Sequence, residues 1–297
     1  MWCMWAGRKW RQLSKIMIHD HLGGPAQPSR KGKDFSYARS YDSRLRQWVI
    51  RGAENLTGKR ILQALYDQLH AENPGPTEVW GRALELMRVG VEFDEGQLTR
   101  VPAKGAVIFL ANHPFGVVDG LILCHLMTLV RHDYFLMINE VLADQPLVEG
   151  HLLPIDFRNT REAVQTNIQT KKMAAERLKK GEVLGIFPSG GIATARRVFG
   201  TATELPWHRT VCALIHQARC AVVPLFFHGQ NSRLFHLVSL FSMDLRLGLL
   251  LHEAVNKRGR TFRVAIGDPI AYESMCGYGK RKDLIDFLHE STLRLRH

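Results

Sequence analysis

The residues best suited to chemistry lie in the short stretch 111–120, which contains His113 and Asp119. An apolar run at 106–110 precedes this stretch and another at 121–130 follows it, a pattern that predicts a buried strand, a polar turn and a buried helix. In open α/β sheets, ligands bind at the carboxyl ends of strands. A histidine paired there with a carboxylate can act as a base, because the carboxylate fixes its tautomer and stabilises the imidazolium, as in a hydrolase triad.

His113 and Asp119 can meet only if the chain bends between them, since residues six positions apart do not share a helix face. Pro114 favours an extended conformation at His113 and suits the first turn of a helix. Gly116 permits a tight backbone path. A second interpretation remains open, in which Asp119 caps a helix at 120–130 and His113 is a loop residue that hydrogen-bonds to the backbone.

Two further strand ends carry residues that packing does not require. Arg158 follows a predicted strand at 152–157, where a guanidinium can bind a phosphate or carboxylate through two hydrogen bonds, with a surface ion pair as the alternative. The strand at 183–187 is followed by two glycines that expose backbone N–H groups able to bind an oxyanion or a phosphate, with an ordinary turn as the alternative. The residues of this second loop are Pro188, Ser189, Gly190 and Gly191.

The alternation of apolar runs with amphipathic segments predicts an α/β fold with a mixed, mostly parallel central sheet flanked by helices and a helical N-terminal lobe. We expect a basic, mostly helical accessory region at 1–100, which docks on membranes, and an α/β domain at 101–297. The predicted strands are 106–110, 134–138, 152–157, 183–187, 221–227 and 261–266, and the predicted helices of this domain are 120–130, 160–180, 207–218, 233–242, 244–255 and 280–295.

The net charge of +12 favours an anionic partner, either nucleic acid or an anionic membrane surface. No nucleic-acid-binding signature accompanies the charge. Trp2, Trp5 and Trp10 lie near basic residues, as in interfacial anchors, although a disordered start with incidental tryptophans is the alternative. No window reaches the roughly 20 apolar residues that a membrane span needs. The five cysteines form no CxxC pair or metal-binding pattern, which is typical of a reducing compartment and predicts no metal.

Taken together, these strand ends resemble the lysophospholipid acyltransferase family, the PlsC-like glycerolipid acyltransferases. The family's first block is an NH-x-x-x-x-D turn; the turn at 112–119 has five residues between His and Asp and is similar to a bacterial branch with an HPFGxxDG turn, which includes lyso-ornithine-lipid acyltransferases. Residues 153–158 and 222–227 resemble the second and fourth blocks. The third block, usually FPEGTRS, lacks its Glu and Arg at 187–193.

The resemblance implies transfer of a fatty acyl chain from acyl-acyl carrier protein or acyl-CoA to the hydroxyl of a lyso-lipid, either a lyso-ornithine lipid or lysophosphatidic acid. His113 would be the general base, oriented by Asp119, and no protein nucleophile and no cofactor other than the thioester would be needed. The missing Arg of the third block favours a lyso-aminolipid acceptor. The substrate-binding residues would be Asn112, Phe115, Gly116, Arg158, Pro188, Ser189, Gly190, Gly191, Arg196 and Arg197.

The same resemblance implies a peripheral enzyme on the cytoplasmic face of the membrane, without a transmembrane span. Its partners would be the acyl carrier protein or CoA thioester, the lyso-lipid and an anionic membrane surface, and not nucleic acid. Two other functions compete with this one. The first is a serine hydrolase or thioesterase that uses Ser189, and the second is a basic membrane-binding module without catalysis.

Overall fold

A mixed sheet forms the centre of the fold. The computed structural model of the protein describes residues 58–195, 197, 200–241 and 243–297, so the tryptophan-rich start and the helical pattern before residue 58 lie outside the described residues. The described strands are β1 (Gly90–Glu92), β2 (Val107–Ala111), β3 (Tyr134–Asn139), β4 (Leu152–Ile155), β5 (Val183–Ile186), β6 (Thr194–Ala195), β7 (Ala202–Thr203), β8 (Ala221–Phe227) and β9 (Thr261–Ile266).

Within the described residues, seven strands join one sheet in the order β1-β9-β8-β2-β5-β3-β4. The five strands from β8 to β4 run parallel to one another. β9 is antiparallel to β8, and β1 is parallel to β9. β6 and β7 form a separate antiparallel hairpin. The mixed, mostly parallel sheet predicted from the sequence is confirmed.

Helices cover both faces of this sheet. α1 and α2 precede the first strand, and most of the others connect successive strands. The described helices are α1 (Lys59–Glu72), α2 (Val79–Leu86), α3 (Glu95–Leu98), α4 (Val117–Val130), α5 (Glu140–Ala143), α6 (Arg161–Lys179), α7 (Thr210–Ala218), α8 (Arg233–Phe241), α9 (Met243–Asn256), α10 (Tyr272–Met275) and α11 (Arg281–Arg294), with a 3-10 turn at Pro146–Val148.

The central strand β2 explains the continuous apolar run in the sequence. Every residue of β2 is buried. Val107, Phe109 and Ala111 belong to one hydrophobic core, which includes residues of α4, whereas Ile108 and Leu110 belong to a second core with residues of α6, α7 and α11. Alternate side chains of a strand point to opposite faces, so a parallel strand with helices on both faces must be apolar throughout.

The carboxyl ends of β8, β2, β5, β3 and β4 meet at one edge of the sheet, because these five strands are parallel. The loops after β2, β4 and β5 hold the residues that the sequence predicted to be functional. This edge is hereafter called the carboxyl edge, and the opposite one the amino edge. The fold therefore gathers loops that are far apart in the chain into one place.

Several boundaries differ from the predictions. α4 begins at Val117 rather than at residue 120, and β4 ends at Ile155 rather than at 157. The segment between β5 and α7 contains the β6–β7 hairpin, for which the sequence predicted no strands. Glu78 occupies the N-cap position of α2, and its side chain makes no capping hydrogen bond to the helix. The domain boundary at residue 100 stays a prediction. No helix in the described part of the chain combines the length and apolar composition that crossing a bilayer requires.

Candidate active site

His113 and Asp119 meet at the carboxyl edge. The Nδ1 atom of His113 lies 2.9 Å from Oδ2 of Asp119. The aspartate side chain is fully buried, whereas 17% of the histidine side chain is exposed. An ionised carboxylate only accepts hydrogen bonds, so this contact requires a proton on Nδ1 and, in a neutral ring, leaves the lone pair on Nε2. The pair has the arrangement of a base that a buried carboxylate holds in one tautomer.

Asp119 also caps the helix that follows the turn. Gly116 is the N-cap of α4, and Asp119 is the third helical residue. Besides contacting the ring of His113, Oδ2 of Asp119 accepts the backbone N–H of Phe115 at 2.7 Å and that of Gly116 at 2.9 Å. From the sequence, capping of the helix by Asp119 and pairing of Asp119 with His113 were alternatives. In the structure, Oδ2 of Asp119 does both.

Gly116 allows the bend that brings the two side chains together. Its φ of 95° lies in the left-handed half of conformational space, which residues with side chains rarely adopt. A Cβ atom at this position would lie 2.8 Å from Cδ1 of Ile192. Glycine is therefore needed here both for the backbone conformation and for the close approach of Ile192.

The segment between β5 and α7 closes over His113. The imidazole ring stacks on Phe187, with ring centroids 4.1 Å apart. The carbonyl oxygen of His113 accepts the N–H of Ala193 at 2.8 Å. The N–H of His113 donates to Oε1 of Glu204 at 2.7 Å. This segment therefore fixes the ring and both polar groups of the histidine backbone.

Glu204 was not among the residues predicted from the sequence. Its Oε2 atom accepts the indole N–H of Trp207 at 2.9 Å. Burial raises the pKa of the Glu204 carboxyl, and hydrogen bonds from Trp207, His113 and Ser189 oppose this effect. Glu204 lies 91 positions from His113 in a polar segment without a recognisable motif, so no local pattern connects the two.

Asn112 and Phe115 have structural partners. The side-chain amide of Asn112 donates to the carbonyl of Phe227 at 3.0 Å and accepts the N–H of the same residue at 2.7 Å, which joins the ends of β2 and β8. Phe115 is buried with its ring edge-on to Phe262, at a centroid distance of 4.8 Å. Their predicted substrate-binding roles stay predictions.

The predicted arginines differ in their surroundings. The Arg158 guanidinium contacts Asp156 at 2.6 Å and Glu140 at 3.2 Å, so it forms the ion pair that was the alternative to substrate binding. This guanidinium holds the pKa of the Asp156 carboxyl at about 2. Arg197 is exposed, and Arg196 lies outside the described residues. Whether any of the three binds substrate stays a prediction.

The loop after β5 forms a tight turn. The N–H of Gly190 donates to the carbonyl of Phe187 at 3.0 Å. The carbonyl of Pro188 accepts the N–H of His208 at 2.9 Å. Ser189 is buried, and its hydroxyl donates to the carbonyl of Gly191 at 3.0 Å. The contacts of Ser189 are thus with the backbone and Glu204 rather than with a histidine, unlike those of a triad serine.

A buried charged network that the sequence analysis did not predict lies behind the turn. The ammonium of Lys257 lies 2.9 Å from the carboxylate of Glu253 and also donates to Asn231. Glu253 accepts the N–H of Ser232 at 3.1 Å. Burial alone would raise the pKa of Glu253, but the charge of Lys257 and hydrogen bonds from Ser232 hold it below its ordinary value. Lys257 lies 5.2 Å from the ring centroid of Phe115, so the network supports the turn.

The similarity of the chain to known proteins agrees with this geometry. A sequence model of the acyltransferase family matches residues 35–297, which include every described residue of the site. The chain belongs to the acyltransferase family. Family membership does not assign roles to the individual site residues, which stay predictions.

Two relatives are both named lyso-glycine lipid O-acyltransferase. The chain is 28% identical over 191 residues to the lyso-glycine lipid O-acyltransferase of Bacteroides thetaiotaomicron, with 60% of the chain and 65% of the relative aligned. It is 27% identical over 188 residues to the lyso-glycine lipid O-acyltransferase of Phocaeicola vulgatus, with 60% and 63% aligned. The alignments thus span less than two thirds of either relative.

Among solved structures, the chain is similar to the 1-acyl-sn-glycerophosphate acyltransferase PlsC from Thermotoga maritima. The superposition has a TM-score of 0.47 at 15% sequence identity, and it covers 86% of this chain and 84% of the other.

Proposed function

We propose that the protein transfers a fatty acyl chain from a thioester to the hydroxyl of a lyso-lipid, with His113 as the general base and Asp119 as the residue that orients it. The observation that carries the proposal is the 2.9 Å contact between His113 and Asp119 in a member of the acyltransferase family. A buried carboxylate behind a partly exposed imidazole is what proton abstraction from an alcohol requires.

In this reaction, Nε2 of His113 takes the proton of the acceptor hydroxyl while its oxygen attacks the thioester carbonyl. Asp119 stabilises the imidazolium that forms. The tetrahedral intermediate then collapses, the carbon–sulfur bond breaks, and the imidazolium returns its proton to the leaving thiolate. The products are an ester and a free thiol, and the histidine is regenerated without an acyl-enzyme intermediate.

The loop after β5 is the candidate site for the developing oxyanion. The N–H of Gly190 is already used within the turn, so the N–H of Gly191 is the donor that we assign. A single preorganised donor of this kind contributes about 10²- to 10³-fold to kcat in other acyl-transfer enzymes.

We propose a lyso-aminolipid as the acceptor, in preference to lysophosphatidic acid. The two named relatives are lyso-glycine lipid O-acyltransferases. In addition, the third block of this chain lacks the arginine that the wider family carries. The donor is a thioester of acyl carrier protein or of CoA, and neither is favoured by a contact in the described residues.

We further propose that the protein docks peripherally on the cytoplasmic face of an anionic membrane through α8. Leu234, Leu237 and Phe241 lie three and four positions apart, on one face of this helix, and all are exposed. Phe241 is 80% exposed. α8 starts beyond the carboxyl end of β8 and contacts the segment over His113, because the N–H of Ala195 donates to His236 at 3.3 Å. A membrane beneath α8 would deliver the lipid close to the base.

The acyl transfer is tested with purified protein, each of the two thioesters, and three acceptors: a lyso-glycine lipid, a lyso-ornithine lipid and lysophosphatidic acid. We expect acceptor-dependent thiol release and an acylated product, detected by mass spectrometry, with a lyso-aminolipid preferred. His113→Ala should abolish both. The proposal fails if no acceptor is acylated, or if the variant transfers as fast as the wild type.

The docking surface is tested separately by sedimentation with vesicles that contain phosphatidylglycerol. Phe241→Asp should weaken binding at least tenfold, since burial of a phenylalanine contributes about 1.5–3 kcal/mol. Leu129→Asp is the matched control, because Leu129 is an exposed leucine near the end of α4, toward the amino edge. Equal binding of the two variants would refute the assignment to α8.

A further inference from the structure

A second carboxylate, besides that of Asp119, contacts His113 and binds its backbone N–H. Oε1 of Glu204 accepts the N–H of His113 at 2.7 Å, while Oε2 accepts the indole N–H of Trp207 at 2.9 Å. Trp207 is buried in the second core, so its indole provides a fixed support. Glu204 thus connects the hydrophobic core to the peptide group of the base.

The chemistry of this contact requires a carboxylate. Two N–H donors reach Glu204, one on each oxygen, and only an ionised carboxyl offers two acceptors and no donor. A glutamine would satisfy one donor and turn its own NH₂ group toward the other. Burying a carboxylate costs free energy, and burial raises the pKa of Glu204 accordingly. An apolar side chain would fill the same space without this cost.

The direction of the imidazole depends on the peptide that carries it. The ring must reach Asp119 with Nδ1 and stack on Phe187 at the same time, which leaves little freedom for the backbone. The carbonyl of His113 is fixed by Ala193, so Glu204 provides the second restraint on the same residue. Without that restraint the ring can turn away from the acceptor while its pairing with Asp119 loosens.

We propose that Glu204 is a positioning residue for the reaction, which fixes the peptide N–H of His113 and thereby the direction of the base. This inference rests on the proposed function of His113. In a positioned reaction, a displacement of about 1 Å can cost about 100-fold in rate. Glu204 does not touch the reacting atoms, so its loss should lower kcat and leave the KM values for donor and acceptor nearly unchanged.

The test compares Glu204→Gln, Trp207→Phe and the double variant. Glu204→Gln should lower kcat about 10- to 100-fold, because its NH₂ group faces one of the two N–H donors. Trp207→Phe removes the competing indole N–H, so in the double variant the glutamine oxygen can accept the N–H of His113. The double variant should therefore be faster than Glu204→Gln, although it loses more of the core.

Amide hydrogen exchange at His113 gives a readout that does not depend on activity. Exchange should be faster in Glu204→Gln than in the wild type, and slower again in the double variant. Glu182→Gln is the matched control, because Glu182 accepts from Arg177 at 2.6 Å next to β5 at the amino edge. It should change neither kcat nor exchange at His113.

The inference is overturned if Glu204→Gln keeps kcat within about twofold of the wild type, or if the double variant is slower than the single one. A merely structural role predicts the second result, because the two losses of packing would add. If the wild type acylates no lyso-lipid, the proposed function fails, and exchange at His113 still decides whether Glu204 restrains the peptide.

Discussion

Replacing Asp119 by asparagine removes the negative charge of the side chain but keeps its shape and its hydrogen-bonding geometry. All three N–H donors at this residue reach Oδ2, whereas Oδ1 is buried without a hydrogen-bond partner among the described residues. The amide oxygen of asparagine can take the place of Oδ2 and keep the three contacts, and thus the tautomer of His113. The NH₂ group then occupies a position that is already unsatisfied, so the variant should fold.

The expected loss of activity follows from the missing charge. Nδ1 and Oδ2 are 2.9 Å apart in a partly buried site. Two unit charges about 4 Å apart attract by about 4 kcal/mol at an effective dielectric constant near 20. Since about 1.4 kcal/mol corresponds to a factor of ten in rate, Asp119→Asn should lower kcat about 1,000-fold.

The assay measures kcat for acceptor-dependent thiol release, with urea unfolding of each variant as a check on the fold. Asp133→Asn is the matched control, since Asp133 contacts Arg131 at 2.5 Å before β3, at the amino edge. The reasoning is refuted if Asp119→Asn folds and keeps kcat within about tenfold of the wild type. In that case Asp119 would cap α4 and fix the tautomer of His113, but its charge would not stabilise the transition state.

Three further outcomes are expected. Ser189→Ala should lower transfer less than tenfold, whereas a nucleophilic serine would lose several orders of magnitude of kcat in the same assay, about 10⁶-fold in one protease. Lys257→Met should lower the free energy of unfolding by about 3–5 kcal/mol, because it leaves the buried carboxylate of Glu253 unpaired. Adding Glu253→Leu should restore part of this loss, as measured by urea titration. Equal stability of the single and the double variant would contradict the prediction. Arg158→Gln tests the ion pair between Arg158 and Asp156. The pKa of Asp156 is about 2 in the folded protein and about 3.9 in the unfolded chain, so the pair stabilises the fold fully above about pH 3.9. The difference in unfolding free energy between wild type and variant should therefore shrink as pH falls from about 4 to about 2. A difference that stays constant over this range would show that Arg158 stabilises the fold in another way.

The sheet could be predicted because its central strands are apolar on both faces. β2, β5 and β8 are short buried runs bounded by turn residues, and strands of this kind are recognisable without an alignment. The ends of the helices and strands were less predictable. Asp119 joins α4 because its side chain caps the backbone N–H of Gly116, and that contact moves the start of the helix to Val117.

The His–Asp turn could be predicted as a candidate site because its residues are close in the chain and their types are specific. Glu204 and Lys257 could not, since their contacts depend on tertiary packing. Glu204 reaches His113 only because the β6–β7 hairpin folds over the carboxyl edge, and a hairpin with two-residue strands leaves almost no periodic signal. Lys257 stands beside Arg258 and Arg260 in the sequence, a pattern typical of an exposed basic cluster, whereas it is 3% exposed and paired with Glu253.

The departure from the usual spacing between His and Asp has a physical explanation in the cap of α4. The carboxylate of Asp119 is directed by its position as the third helical residue, from which it reaches back to the N–H groups of Gly116 and Phe115. Those two N–H groups precede the helix and face the end of β2, so a side chain bonded to them also faces His113. In this chain the contact therefore depends on two conditions: His113 lies just beyond β2, and Asp119 occupies the third position of α4. Gly116 turns the chain between them, because its left-handed backbone carries no side chain that would stand in the way.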